Sequence, residues 1–396
     1  MSDLYWDPFD PALRDDPYGL WKRLRDEAPL WHNARYDFWV LSRFDDIDAA
    51  HRDPVTFSSS HGTTLEIMTP EPMPDTGMII WLDPPKHTTL RHLVSRGFTP
   101  RRVTQLEDRV REVCTELLDA QIGSSSFDYV QDFAAILPPT IISSLLGVSR
   151  ADQPQIRQVI DDIFYIEEGV GMANDVSIAA RSTLNEYLAG QFAERRRHPR
   201  DDMFTDLLEA EITDEHGESR RLSDDELMDF GTMLVGAGTE TVARHLGWVA
   251  KVLDDHPEQR AELVDDFSLI PDAIEELLRF EPPSPVNGRW TTRDVTVHGV
   301  TMPKDSKVIL LTGSAGRDER KYVDPDRFDI HRRADLHLAL GYGIHFCLGA
   351  SLARMEARVA LEETLKRWPR WKVDHDNAVL LYTSTVRGYL NLPIVL

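Results

Sequence analysis

The stretch "RLSDDELMDFGTMLVGAGTETVARHLGWVAKVLDDHP", from Arg221 to Pro257, constrains the fold more than any other part of the chain. Ser223 and Glu226 stand in capping-box spacing, and Pro257 marks the stop. Roughly 32 helical residues between those signals would run about 48 Å, enough to cross a domain. Phe230, Leu234, Ala237 and Thr241 share one face by their spacing. The middle of the stretch is anomalous. Gly236 and Gly238 each cost about 1 kcal/mol relative to Ala in a helix interior, and Glu240 and Thr241 set an acid and an alcohol beside them. One reading is close helix packing through the glycines, with Thr241 bonded one turn back. The other is a groove or π-bulge that admits a ligand to the backbone. A dinucleotide fingerprint is rejected, because Thr241 stands where the third glycine belongs and a helix, not a strand, precedes it.

Around this helix the pattern from about 86 to 280 is mostly helical. Strands are expected early, in "FWVLSRF", and late. "DVTVHGVTMPKDSKVILLTG" reads as a hairpin turning at His298-Gly299 plus a further strand, and "AVLLYTSTVRGYLNLPIVL" closes the chain in the same style. The class is mainly α with small β sheets. No repeat and no Gly/Ser linker divides residues 1–396, which read as a single domain. Glu66–Pro85 holds five prolines and is expected to be an irregular, functional loop.

The net charge of −23 argues against a general nucleic-acid partner. The two cysteines, Cys114 and Cys347, exclude a disulfide framework and a CxxC zinc site. The N-terminus lacks a signal-peptide pattern, and no window approaches the roughly 18 apolar residues of a membrane span. A cytoplasmic protein with no membrane partner is expected.

"HLALGYGIHFCLGASLAR" holds Cys347. Gly341, Gly343, His345, Cys347 and Gly349 alternate, and then Leu352, Met355 and Val359 mark a helix face. A helix N-terminus favours a thiolate, and glycines clear the approach to the sulfur for something large and flat. From the residues alone the cysteine reads as structural, as a nucleophile or as a metal ligand. A lone cysteine suffices as ligand only where a macrocycle brings nitrogens of its own.

The segment resembles the haem-binding loop of the cytochrome P-450 family, Phe-Gly-x-Gly-x-His/Arg-x-Cys-x-Gly. It matches at Gly341, Gly343, His345, Cys347 and Gly349, and departs at Leu340, where the family has Phe. Other family motifs follow in the expected order. Ala237-Gly238-Thr239-Glu240-Thr241 is similar to the oxygen-binding groove, and Glu276-x-x-Arg279 to the family's Glu-x-x-Arg pair, which an Arg in "DPDRF", here Arg327, joins. His87, Arg91 and Arg289 match propionate partners.

The resemblance implies the cytochrome P-450 fold with its long central helix over a buried haem b, and Cys347 as the axial iron ligand. His345, His87, Arg91 and Arg289 would hold the propionates. Glu240 and Thr241 would deliver protons for O2 activation, and Glu276, Arg279 and Arg327 would be structural. The implied activity is monooxygenation of a small lipophilic substrate. Electrons would come from a ferredoxin and its reductase, since the chain has no carrier of its own. Arg101, Arg102 and Arg109, in a locally basic stretch, are candidates to dock the ferredoxin.

The family's substrate walls map onto Ile67, Met68, Met78, Ile79, Phe164, Tyr165, Met172, Leu234, Pro283 and Val286 and the turn at 382–386. No Lys or Arg lies between Asp53 and Pro85 or between Gln158 and Ala180, which favours a neutral terpenoid, steroid or macrolide-like substrate. Arg387 and His61 are the cations that could serve an anion instead. The rivals are a peroxygenase or other non-hydroxylating haem-thiolate enzyme, and a non-enzymatic haem sensor or carrier.

Overall fold

The computed structural model describes residues 4–10, 12–74, 77–165, 167, 174–213, 217–334, 336–382 and 386–396. The central stretch starts as its sequence dictates. The Ser223 hydroxyl accepts the Glu226 N–H, and the Glu226 carboxylate accepts the Ser223 N–H. The helix that follows, Asp224–Ala237, buries Leu227, Phe230 and Leu234.

The single long helix does not form. It breaks at Gly238 and Thr239 and resumes as Glu240–Asp255. The Thr239 hydroxyl donates to the carbonyls of Val235 and Gly236 at 3.1 and 3.2 Å, in competition with the backbone ladder. The Thr241 hydroxyl bonds back to the Ala237 carbonyl at 3.3 Å. Close packing explains Gly238, where a Cβ would stand 3.2 Å from the Leu234 carbonyl, but not Gly236. An ideal Cβ on Gly236 would meet only Phe164, at 3.7 Å, whereas one on Gly231 would lie 2.9 Å from Leu188.

Val242 to Ala250 is buried without interruption, so the second helix lies at the centre of the molecule. Its core neighbours include Leu352, Ala357 and Val359 from the Ala350–Arg367 helix and Ala273 and Leu277 from the Ile270–Phe280 helix. A second apolar cluster joins Ile79, Leu90, Ile142, Leu184 and Leu234. A third lies on a five-stranded sheet, in the order Leu30–Asn33, Phe38–Leu41, Lys307–Leu310, Asn287–Thr291, Phe57–Ser58. Only the pairing of Lys307–Leu310 with Phe38–Leu41 is parallel.

The expected late strands form. Val295–Val297 and Val300–Met302 make a hairpin through His298, whose φ is +51°, and Gly299. At the chain's end Val379–Tyr382 pairs with Arg387–Asn391, and Pro393–Val395 lies between Lys372–Val373 and Ser126–Asp128. Glu66–Pro85 is irregular in its described part apart from one turn of 3₁₀ helix at Ile79–Trp81. No helix among the described residues is long and apolar enough to cross a membrane.

Candidate functional site

Cys347 lies in the loop just before the Ala350–Arg367 helix. Gly341 and Gly343 have φ of +68° and +69°, in the left-handed region that glycine tolerates without strain. Gly343 also passes so close to the Phe44–Arg52 helix that a Cβ would lie 2.4 Å from the His51 carbonyl. The Cys347 N–H donates to the Leu340 carbonyl at 2.9 Å. Burial pushes the Cys347 thiol up, against the Gly349 N–H and the charges of Arg91 and Arg354, which pull it down. The surroundings of the sulfur thus oppose one another, burial disfavouring the thiolate and the nearby N–H and guanidinium charges favouring it.

Beside the loop is a cluster of nitrogen donors that meets no carboxylate among the described residues. His87 and His345 stand with ring centroids 4.3 Å apart. Both nitrogens of His87 are buried without a partner, and so are both of His51, which the sequence motifs did not single out. His345 has only the Ser59 hydroxyl, 3.2 Å from Nε2. Arg289, on the Asn287–Thr291 strand, reaches only the Gly288 carbonyl, at 2.6 Å, and Arg91 only the Phe346 carbonyl, at 2.5 Å.

Burial with so many like neighbours depresses the cationic forms. His87 is held at about 4, mainly by burial and then by Arg91. His345 is held at about 2 by burial, Arg289, His87, Arg91 and His51. Burial likewise lowers Arg289 to about 10, with Asp83 opposing. Orphaned buried donors are costly. Two carboxylates would satisfy this set and reverse every one of these shifts. A haem carries two such groups, so the residues present fit it. The signal for His51 was Gly343 itself, whose need for a close backbone neighbour did not say which residue supplied it.

Above this region is the helix break. Ala237 is exposed and Gly238 and Thr241 are half-buried, although a fully buried run follows them. These residues are thus uncovered on one side, which leaves a hollow at the break. Glu240 does not stand free. Its Oε1 accepts Arg244 Nε at 2.7 Å, and Arg244 Nη1 reaches the Tyr389 carbonyl.

Glu276 and Arg279 form a fully buried bidentate pair with N···O of 2.6 and 2.8 Å. Arg327 does not join it. That side chain is exposed and bonds Asp329, while Arg332 Nε takes Glu276 Oε1 at 3.1 Å. The cause is a tight turn after Asp324 that sends Arg327 outward and brings the backbone past the pair; the Asp329 N–H also donates to Glu276.

The candidate substrate walls divide. Ile79 and Leu234 lie in one apolar cluster, with Met78 and Phe164 packed against it. Val286 belongs to the sheet cluster with Leu65. Met68 is buried, near enough to Gly288 to exclude a Cβ there, and Ile67 and Tyr165 are exposed. Met172 and 383–385 lie outside the described residues. Arg387 is unsuited to an anion, being buried and bonded to Glu281 at 2.6 Å, and His61 stacks on Trp290. The basic stretch at 86–112 is largely matched by acids. Arg102 pairs with Asp206, Arg109 with Glu112, and Arg111 with Glu107, Glu362 and Glu363; Arg101 is exposed.

A cysteine loop beside a cluster of histidine and arginine donors, in a fold with a broken central helix, suits a protein built around a large planar cofactor with acidic arms. Comparison with known proteins identifies the family. The Cytochrome P450 family model matches residues 26–393. Curated bacterial relatives reach 40 % identity over 99 % of the chain. Erythromycin C-12 hydroxylase of Saccharopolyspora erythraea is 39 % identical over 94 % of this chain and 92 % of its own. Among solved structures, CYP109Q5 from Chondromyces apiculatus superposes with a TM-score of 0.89 at 34 % identity, covering 98 % of this chain and 97 % of that one. CYP109E1 from Bacillus megaterium, in complex with corticosterone, gives 0.86 at 29 % identity, covering 97 % and 99 %. The chain belongs to the cytochrome P-450 family. It is a haem-dependent monooxygenase, with protoporphyrin IX iron as its cofactor and with O2, a lipophilic substrate and redox partners implied by the family.

Proposed function

We propose that residues 1–396 act as one unit that hydroxylates a neutral lipophilic molecule of macrolide or steroid type, with Cys347 as the axial ligand and electrons from a ferredoxin and its reductase. The observation that carries the site assignment is the clustering of His87, whose ring nitrogens are buried without a partner among the described residues, with His345, Arg91 and Arg289, none of which meets a carboxylate there. They would bind the propionates. His51 adds a fifth donor to the same set. The haem, when bound, supplies oxygen activation and substrate oxidation.

The chain's own part is binding, orientation and proton supply. At the break, Ala237 and Gly238 leave room beside the Thr241 hydroxyl. Thr241 Oγ1 now donates to Ala237, and by rotating it can donate toward the hollow instead. Glu240 re-supplies that proton, with Arg244 holding its carboxylate in place.

Ile79, Leu234, Met78 and Phe164 lie in one apolar cluster, which favours a neutral substrate. The erythromycin hydroxylase and the corticosterone-bound relative support that class. The acid–alcohol pair favours reductive O2 activation over use of peroxide.

A carbon monoxide difference spectrum of the reduced protein tests the ligand. A thiolate-type Soret band is expected in the parent protein and its loss in Cys347→Ser. Spectral titration then tests the substrate class. Binding of macrolides or steroids is expected, and binding of simple fatty acids alone would contradict it.

A further inference from the structure

One carboxylate grips both flanks of the cysteine segment. Glu275, on the Ile270–Phe280 helix, accepts Arg354 Nε at 2.6 Å on Oε1 and Arg354 Nη2 at 2.8 Å on Oε2. The same Oε2 takes His337 Nε2 at 3.1 Å. Arg354 follows Cys347 on the Ala350–Arg367 helix, and His337 precedes it. His337 Nδ1 accepts the Ala339 N–H at 3.3 Å, which puts the ring hydrogen on Nε2, toward Glu275. The Gly341 N–H then bonds the Leu338 carbonyl at 3.0 Å, and the Cys347 N–H bonds Leu340 at 2.9 Å.

The contacts run without a gap from Glu275 to the backbone behind the sulfur. Neighbouring residues on a helix point about 100° apart. Glu276 therefore turns inward to Arg279, while Glu275 faces the cysteine loop. Burial raises the Glu275 carboxyl, but its bonds to His337 and Arg354 outweigh that and hold it at about 2, so it is charged at neutral pH. The guanidinium it holds is also one of the charges acting on the Cys347 sulfur.

We propose that Glu275 is a positioning residue for the axial ligand: by tying His337 and Arg354 to one carboxylate it fixes the Leu338–Leu340 backbone against Cys347, neutralises Arg354, and so sets the reduction potential of the haem. The inference rests on Cys347 being the iron ligand. Its sign follows from charge. Glu275→Gln leaves Arg354 uncompensated beside the sulfur and favours the reduced, less positive iron, so the potential rises. Arg354→Gln removes the cation, and the potential falls.

The test uses the haem-loaded full chain. Reduction potentials are measured for the parent, Glu275→Gln and Arg354→Gln, together with the lifetime of the thiolate Soret band of the reduced carbon monoxide complex. Shifts of opposite sign are expected, with the band lost several-fold faster in Glu275→Gln. A parent protein without that band defeats the ligand assignment itself. A parent with the band, but a Glu275→Gln variant with unchanged potential and band lifetime, defeats this proposal even if the variant melts earlier. Should Glu275→Gln fail to fold, His337→Asn carries the same decision through band lifetime, because it keeps an acceptor near the Ala339 N–H and cuts only the bond to Glu275.

Discussion

Arg244 holds Glu240 from one helical turn away, its Nε 2.7 Å from the carboxylate, while its other arm reaches the Tyr389 carbonyl on the C-terminal hairpin. The acid beside the helix break is thus anchored to a distant strand. Glu240→Gln keeps the shape and removes the carboxylate. Product formation is expected to fall about 10²-fold, the usual size of a general-acid contribution, with the haem spectrum unchanged. Arg244→Ala leaves the half-buried Glu240 carboxylate unpaired and removes the buried bond to Tyr389, and is expected to cost about 1–3 kcal/mol in urea unfolding. Turnover and stability thus separate the two residues.

The Glu276–Arg279 pair is fully buried, and its third member is Arg332. Glu276→Gln is expected to cost about 3–5 kcal/mol, because the Arg279 charge stays buried without its counter-ion. Arg327→Ala should stay within about 0.5 kcal/mol, as expected of an exposed side chain. Arg332→Ala should cost clearly more than Arg327→Ala. Equal effects at 327 and 332 in chemical denaturation would overturn the placement.

His51, His87, His245 and His345 are all depressed by burial, to about 3, 4, 4 and 2. Each would titrate near 6.5 in the unfolded chain. A histidine lowered on folding binds its proton first in the unfolded state. Its contribution is complete above about pH 6.5 and is lost as the pH falls toward the folded value. The haem-free protein should lose up to about 1.4 kcal/mol per pH unit for each such group between pH 6 and 5. Haem should flatten that slope, because propionates favour the protonated rings of His87 and His345. Urea titrations from pH 5 to 7.5, with and without haem, check this.

Arg289 is buried and donates to the carbonyl of its neighbour Gly288. A charged hydrogen bond is worth about 1.5–3 kcal/mol. Arg289→Ala is therefore expected to speed haem loss to a haem-accepting protein about 10- to 100-fold. Arg289→Lys should recover part of the loss.

Gly77 ties the irregular loop to the central helix. Its N–H donates to Asp229 at 3.0 Å, and a Cβ there would stand 2.5 Å from the Glu226 carbonyl. Gly77→Ala should push the loop off the helix. Weaker substrate binding by spectral titration is expected, with haem content unchanged.

Local signals in the sequence determined much of this protein. Capping-box spacing set the start of the central helix, and alternation set the late hairpins. The glycines at 341 and 343 marked a loop that no other residue could make. The haem motifs were legible because each is short and contiguous.

Tertiary structure alone decided the rest. The break at Gly238–Thr239 arises from hydroxyl-to-carbonyl bonds that compete with a helix period otherwise continuous in sequence. Arg332 rather than Arg327 completes the buried pair because a turn decides which of two nearby arginines faces inward. His51, Arg244 and Glu275 act through partners far away in the chain or hidden by ordinary i, i+4 spacing. Periodicity records which face of an element is apolar; it does not record which charged groups meet once those faces have packed.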